Sequence, residues 1–508
     1  MQPLFFLSKD QFDQLDSDVK RIVVTAKADI CPSTVLSFEA FRENASHIAF
    51  LDSCDLNLET SRYSFLAIDS LLSIKAKGRV IWSIKNDITI RYTGEPLYFL
   101  NGFLTEKTYR EELPFFTGGG VGYFAYEAFR YISDIPLTEK EPERLPDFSF
   151  FIPETVISFD SEEKAVYVSV TIETGEKDYD YAQQKITEVM EKLAGIEEST
   201  SSLNEGISVA GENDQTASSE GFQGGDYSFI ESGEIRKYRT QEEFEDIVVR
   251  AKEYIADGDI YQINLSQRFE YETDEDPWEI YKRLRVINPS PFAGFLKFQD
   301  LSIISSSPER LISRHGDRLE TRPIAGTRPR GTTEEADEAI SRELLLNPKE
   351  LAEHIMMIDL ERNDIGKVSK KGTVNPEPSM FIENYSHVKH IVTNISGEAI
   401  PQADWIDVFT AMFPGGTITG CPKKHTMEII SELEEIRRGI YTGSFGWIGY
   451  NGDMDLNIII RSFLHQNNLL SFYTGAGIVH DSVPENEYRE TLKKAEALVK
   501  SIQKPLSP

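Results

Sequence analysis

The sequence predicts an α+β fold, with β-sheets flanked by helices. Short segments rich in β-branched and aromatic residues recur along the chain. Most are separated by hairpin-length turns, not by regular βαβ crossovers. A few long amphipathic patterns carry clear helix start signals. At 508 residues, with 40% hydrophobic and 11% aromatic content, the chain has material for two or three core-forming units.

The elements follow in order. Residues 1 to 196 form a mixed α/β region. In it Ala49–Ser53 and Arg62–Ala67 are strand-like, and Phe151–Phe159 and Ala165–Ile172 make a hairpin around Asp160–Lys164. The run Thr117-Gly-Gly-Gly-Val-Gly-Tyr-Phe-Ala-Tyr126 lacks dinucleotide-site spacing and reads as close backbone packing or a turn. Residues 197 to 234 are Ser/Gly/Glu-rich without Lys or Arg, which predicts a flexible acidic linker. Residues 235 to 508 form the remaining region. Thr240 with Glu243 makes a capping box for a helix that Gly258 ends. Strands are expected at Ile260–Ser266, Leu301–Ser306, Leu319–Ile324, Tyr441–Tyr450, Leu456–Ser462 and Leu470–Tyr473. A helix begins at Asn347-Pro348, another runs through Arg438, and a last one starts near Asp481 or Ser482 with Pro484 in its first turn.

The net charge is −31, from 84 acidic and 53 basic residues, which opposes binding to nucleic acid. Three cysteines without a CxxC pair argue against a disulfide framework or zinc site and fit a reducing compartment. The first twenty residues lack a basic segment and a small-residue cleavage site, and no apolar stretch is long enough for a membrane span. A cytoplasmic protein is expected.

Chemistry concentrates in the second half. Glu350 and Glu353 share a helix face; they could hold a hard cation or complement the helix dipole. The terminal helix places Glu487, Glu490 and Lys494 on one face, which is either part of a Mg²⁺ site with Glu353 or a solvated acidic face. Gly475-Ala476-Gly477 at a strand-to-helix junction offers bare N–H groups to an anion, or is an ordinary tight turn. Arg461 ends an otherwise apolar strand and needs a carboxylate partner from the protein or from a ligand. His390 follows strand alternation and could equally be a core histidine. Together these residues indicate a metal-assisted site for a small substrate bearing carboxylates.

The motifs Gly258-Asp-Ile-Tyr-Gln-Ile-Asn-Leu-Ser266, Ser307-Pro-Glu309, Arg322-Pro-Ile-Ala-Gly-Thr327, Ala352-Glu-His354 and Asp359-Leu-Glu-Arg-Asn-Asp364 resemble the chorismate-utilising enzymes. So do Phe413-Pro-Gly-Gly-Thr-Ile-Thr-Gly420, Gly475-Ala-Gly477 and the Pro484–Lys494 helix. The resemblance spans residues 240 to 500 and implies two sheets with flanking helices around a single chorismate site. It places Mg²⁺ on Glu353 and Glu490 with Glu487 nearby, and the substrate carboxylates on Tyr441, Arg461, Gly475, Ala476, Gly477 and Lys494. Gly326 and Thr327 would line the ring. Glu309 would be the acid that helps the C4 hydroxyl leave, and His390 matches a histidine associated with ring chemistry. Gln262 stands where water-using relatives carry a lysine, which implies ammonia as the nucleophile.

Asp359-Leu-Glu361, Pro414-Gly-Gly416, Tyr441–Trp447 and Asn457 resemble the branch that forms aminodeoxychorismate more than the branch that forms anthranilate. Against this, Ala325 occupies a position where many aminodeoxychorismate-forming relatives have a lysine nucleophile. Ser53, Pro291 and Phe292 match a tryptophan-binding place in relatives. Asp52 and Ala293 depart from its usual residues, so weak or no tryptophan binding is expected. No glutaminase signature occurs, so a separate glutamine amidotransferase subunit would supply ammonia. A non-catalytic chorismate-binding scaffold is disfavoured because carboxylate, arginine and glycine sites are all present.

Overall fold

The computed structural model describes residues 3–503 apart from 44, 55–61, 139, 141–143, 207–232, 332, 377–379 and 385–387, and gives backbone alone for 200–206, 327, 329, 349 and 388. Two long strands, Tyr63–Lys77 and Phe148–Asp160, organise it. They pair with each other along nearly their whole length, with a bulge between Ser70 and Leu72. A bulge bends a strand and increases its twist, so each strand enters two sheet lobes.

In the first lobe Phe148–Asp160 pairs with Ala165–Glu173 across the Asp160–Lys164 turn, as the turn chemistry predicts. Tyr63–Lys77 pairs with His47–Asp52, and the lobe continues through Phe292–Phe298, Leu301–Ser307, Ser462–Gln466 and Leu469–Ile478 to Gln262–Glu272. In the second lobe Phe148–Asp160 pairs with Gly119–Phe124. The sheet then runs through Ser444–Gly449, Met454–Asn457, Arg310–His315 and Arg318–Arg322 to Ile395–Glu398. A separate three-stranded sheet joins Ile324–Pro329, Val388–Val392 and Phe381–Asn384. The α+β fold with flanking helices is therefore present, but the two main sheets expected are two lobes of one continuous sheet.

The lobes face each other over a core that includes Phe116, Val121, Phe151, Leu296, Ile303 and Trp447. Ile303 and Leu464 point into it, whereas their chain neighbours Ile304 and Phe463 point outward under helices. Both strand faces are buried, which is why these strands read as continuous apolar runs. Helices Gln241–Ala256, Pro277–Ile287 and Pro484–Ile502 cover the first lobe; Pro96–Leu104 and Trp405–Met412 cover the second.

Local chemistry explains the helix starts. Thr240 and Glu243 form the expected capping box, and the Asn347 side chain accepts from Glu350 N at 3.3 Å ahead of Pro348–Gly366. Other boundaries differ from expectation. The terminal helix is capped by Val483 and not by Asp481 or Ser482, because the Ser482 hydroxyl is taken by Val479 N. The helix expected to reach Arg438 ends at Leu433. Helix Tyr179–Gly206 runs past residue 196, and the rest of the expected linker up to 232 lies outside the described residues. The regions before and after it share one sheet, since His47–Asp52 pairs with Phe292–Phe298 and Gly119–Phe124 with Ser444–Gly449. The glycine run around Gly119 is a strand: a methyl on Gly122 would lie 2.2 Å from Ser149 O. Among the described residues no helix is long and apolar enough to cross a membrane.

Candidate active site

Strands Gln262–Glu272 and Leu469–Ile478 run antiparallel with Asn264 opposite Gly477 and Ser266 opposite Gly475. Gln262 and Asn264, two residues apart, share a face. A methyl on Gly475 would sit 2.5 Å from Asn264 Oδ1 and 2.7 Å from the Tyr441 hydroxyl. One on Gly477 would sit 2.8 Å from Gln262 Nε2 and 4.0 Å from Glu353 Oε1. The glycines are required because polar groups from two other elements lie directly over this strand. The Gly475–Gly477 segment is thus inside a strand, not at a strand-to-helix turn. Asn264 Oδ1 is buried and accepts no hydrogen bond among the described residues, which leaves an acceptor aimed into the site.

Two cations border this floor. Arg461 was expected in a continuous strand over Leu456–Ser462. Instead, regular pairing stops after Asn457 and resumes at Ser462, and Arg461 has φ +51°. This left-handed conformation is uncommon outside glycine and is found where surrounding structure over-determines it. Lys494, from the terminal helix, donates to Gly475 O at 2.9 Å and meets Glu490 at 2.8 Å. Tyr441 lies in a turn before strand Ser444–Gly449 and stacks on Tyr473 with ring centroids 5.3 Å apart.

Glu309 follows strand Leu301–Ser307 and is only 6% exposed. Burial pushes its carboxyl up to about 7, against the opposing influence of the Thr417 hydroxyl, Arg461 and Lys494. Thr417 lies beside the carboxyl, but its alignment falls short of a well-formed hydrogen bond. A buried acid with a pKa near neutrality is the form suited to proton donation. His390 is buried, and burial followed by the Arg461 charge lowers it to about 3. Its Nδ1 lies 3.1 Å from Gly326 O. A carbonyl only accepts, so Nδ1 carries the proton and Nε2 the lone pair. Thr327 pairs with His390 across the small sheet, Gly326 has φ +58°, and Ala325 is buried opposite Ile391. The Arg461 charge therefore acts on both Glu309 and His390, and Lys494, bonded to Gly475 O, adds its charge at Glu309.

Glu350, one of two candidate carboxylates on its helix, is taken by Arg328 at 3.1 Å. Glu353 instead lies near Gly477. Glu490 is half-exposed and reaches the glycine strand through Lys494, and Glu487 is buried one turn earlier. Among the described residues no three His, Cys, Asp or Glu side chains are gathered closely enough to hold a metal ion. The donor chemistry nevertheless fits Mg²⁺, a hard cation that takes one or two carboxylates and completes its shell with water and substrate oxygens.

A family profile described as chorismate binding enzyme matches residues 72–500. The chain belongs to the chorismate-binding enzyme family. Aminodeoxychorismate synthase component 1 of Bacillus subtilis (strain 168) is 39% identical over 473 residues, covering 93% of this chain and 95% of that one. Anthranilate synthase component 1 of Acetivibrio thermocellus is 36% identical over 506 residues, covering 98% and 99%. The crystal structure of anthranilate synthase component I from Streptococcus pneumoniae TIGR4 superposes with a TM-score of 0.71 at 32% identity, covering 87% of this chain and 93% of that chain. Like other members of the chorismate-binding family, this one is read as a chorismate-converting enzyme.

Ser53 and the Pro291–Phe292 segment also come together, because Asp52 pairs with Ala293. The Ser53 hydroxyl donates to Tyr63 O at 2.8 Å, Phe292 packs under the Arg310 guanidinium, and Pro291 is buried. Asp52 is consumed internally, accepting from Tyr281 at 3.0 Å, from Arg285 and from the Cys54 thiol at 2.9 Å. Sequence reasoning missed Asn264 and Thr417 as site residues. Asn264 was detectable from its i+2 spacing to Gln262; no local pattern marks Thr417.

Proposed function

We propose that this enzyme aminates chorismate with ammonia to give 4-amino-4-deoxychorismate, the ammonia coming from a separate glutamine amidotransferase subunit. The observation that carries this reading is Glu309: a buried acid near neutrality, beside Arg461 and Lys494, with the uncharged Gln262 in place of a water-activating base. Arg461, Lys494 and the backbone of Gly475–Gly477 bind the two substrate carboxylates, as cations and bare N–H groups do. Gly326 and Thr327 flank the ring. Ammonia forms the new C–N bond as the C4–O bond breaks. Glu309 gives its proton to the departing hydroxyl, which leaves as water, and the new ammonium returns a proton to the carboxylate. Neutral His390, held by Gly326 O, presents Nε2 as a weak base toward the ring. Glu353 and Glu490, with Glu487 nearby, would hold Mg²⁺, which supplies charge neutralisation for a substrate carboxylate.

A second reading, formation of anthranilate and pyruvate, is favoured by one observation. Ala325 on the ring-lining strand provides no amine nucleophile, so an aminodeoxychorismate route here depends on direct attack by ammonia. Purified protein given chorismate, Mg²⁺ and an ammonium salt, with products resolved by mass, tests both. Aminodeoxychorismate, convertible to p-aminobenzoate by added lyase, supports the first reading; anthranilate with pyruvate replaces it with the second.

A further inference from the structure

Asn264 is 8% exposed, and what holds it in place is its backbone. Its N–H donates to Thr419 O at 2.8 Å, and its carbonyl accepts from Arg438 Nη2 at 2.7 Å. Thr419 is itself fully buried and fixed by its own hydroxyl, which donates to Gly415 O at 2.7 Å. The side-chain Oδ1, in contrast, is buried and takes no hydrogen bond among the described residues. It lies 2.5 Å from where a Cβ on Gly475 would be, and the Tyr441 hydroxyl lies 2.7 Å from the same point. The two oxygens therefore converge beside Gly475, on the face that Asn264 shares with Gln262.

A buried acceptor left unpaired costs free energy, and a leucine of similar shape would fill the place without that cost. Such an atom is complementary to a donor that arrives with a ligand. Arg461 and Lys494 only donate, so they suit the substrate carboxylates, which only accept. Donors among the reactants are two: the C4 hydroxyl, which receives the proton of Glu309, and ammonia. Ammonia has a single lone pair, which must point at the ring. Its N–H bonds then point away and need acceptors. An amide oxygen suits that task better than a carboxylate. A carboxylate attracts ammonium, whose lone pair is already spent on a proton, whereas a neutral oxygen holds ammonia without that preference.

We propose that Asn264 is a binding residue for the nucleophile: its Oδ1 accepts from an N–H of ammonia and turns the nitrogen lone pair toward the ring. This rests on ammonia being the nucleophile of the proposed function, and it holds whether the product is aminodeoxychorismate or anthranilate. The bonds made and broken are unchanged. The lone pair forms the C–N bond, and the C4–O bonding pair leaves with the hydroxyl, which departs as water on the Glu309 proton. The surplus proton of the new ammonium returns to the Glu309 carboxylate.

The test is turnover of the purified full chain at saturating chorismate and Mg²⁺ with ammonium chloride varied. Thermal unfolding and calorimetric binding of chorismate without ammonium are measured alongside. N264L should raise KM for ammonium about tenfold and leave Kd for chorismate unchanged. Its Tm should not fall, since no side-chain hydrogen bond within the protein is lost, and that readout separates a ligand holder from a structural residue. N264D should lower kcat at neutral pH, because its carboxylate retains ammonium. An unchanged KM for ammonium in N264L overturns the proposal, as does a raised Kd for chorismate in its place or a lowered Tm. N264D with wild-type kcat overturns it too. Should N264L not fold, N264A reads the same constants and decides. Wild-type turnover that ignores ammonium removes the proposed function and this assignment with it. Ammonia-dependent formation of anthranilate removes only the choice of product and leaves Asn264 as assigned.

Discussion

Two buried glutamates, Glu434 and Glu309, illustrate opposite solutions. Glu434 is 4% exposed, accepts from Nε and Nη2 of Arg438 and from Ser266 N and Oγ, and is closed off. Arg438 completes its own donors on Ile418 O and Asn264 O. Glu309 is similarly buried but has no such clamp: Thr417 is poorly aligned, and Arg461 and Lys494 act on it only through their field. A saturated pair holds elements together and has nothing left to offer a ligand. An acid denied a clamp keeps its proton near neutral pH, and that proton can be given away. Asp52, tied by Tyr281, Arg285 and Cys54, belongs with Glu434 and not with Glu309.

The contrast can be broken most strongly at Glu309. E309Q should lower kcat by about 10³-fold, the range of a lost general acid, with KM for chorismate little changed. Comparable loss in KM alone would make it a binding residue. The wild-type rate should decline as pH rises through about 7, because the donor loses its proton there. Stability carries the same sign. The native state keeps a proton that the unfolded chain releases near 4.5, so wild type loses stability relative to E309Q between pH 4.5 and 7 and neither regains nor loses it above. Urea titrations at pH 4 and pH 8 would measure the gap.

At the closed pair the effect should fall on folding. R438M leaves Glu434 buried without a counter-charge, at a cost of about 3 kcal/mol, read from denaturant midpoints. A stable R438M with altered turnover would move Arg438 into the site. R461Q should act on substrate binding, raising KM for chorismate about tenfold or more, in line with a charged hydrogen bond to a carboxylate. The smallest effect belongs to Asp52. Millimolar tryptophan should leave ammonia-dependent turnover unchanged, since the carboxylate that could meet an incoming ammonium is already held by Arg285. Strong inhibition would show that this cluster opens.

The sequence by itself determined what depends on near neighbours in the chain. The Thr240 capping box, the Asn347 cap and the Asp160–Lys164 turn were legible because each is a bond or a backbone preference within a few residues. The motif strings were legible as a family resemblance, and residues spread from Gln262 to Lys494 do meet. Tertiary structure alone decided the rest. The apolar run Ile458–Ile460 could not announce the left-handed Arg461 that ends it, because that conformation is imposed by packing. Nor could spacing separate Glu350 from Glu353, which share a helix face until Arg328 claims one of them. Whether a buried carboxylate becomes an ion pair or an acid depends on which cation the fold brings within reach. Glu434 meets Arg438 four residues on, whereas Thr417, Arg461 and Lys494, which oppose the burial of the Glu309 carboxyl, lie more than a hundred positions away, and no local pattern records that difference.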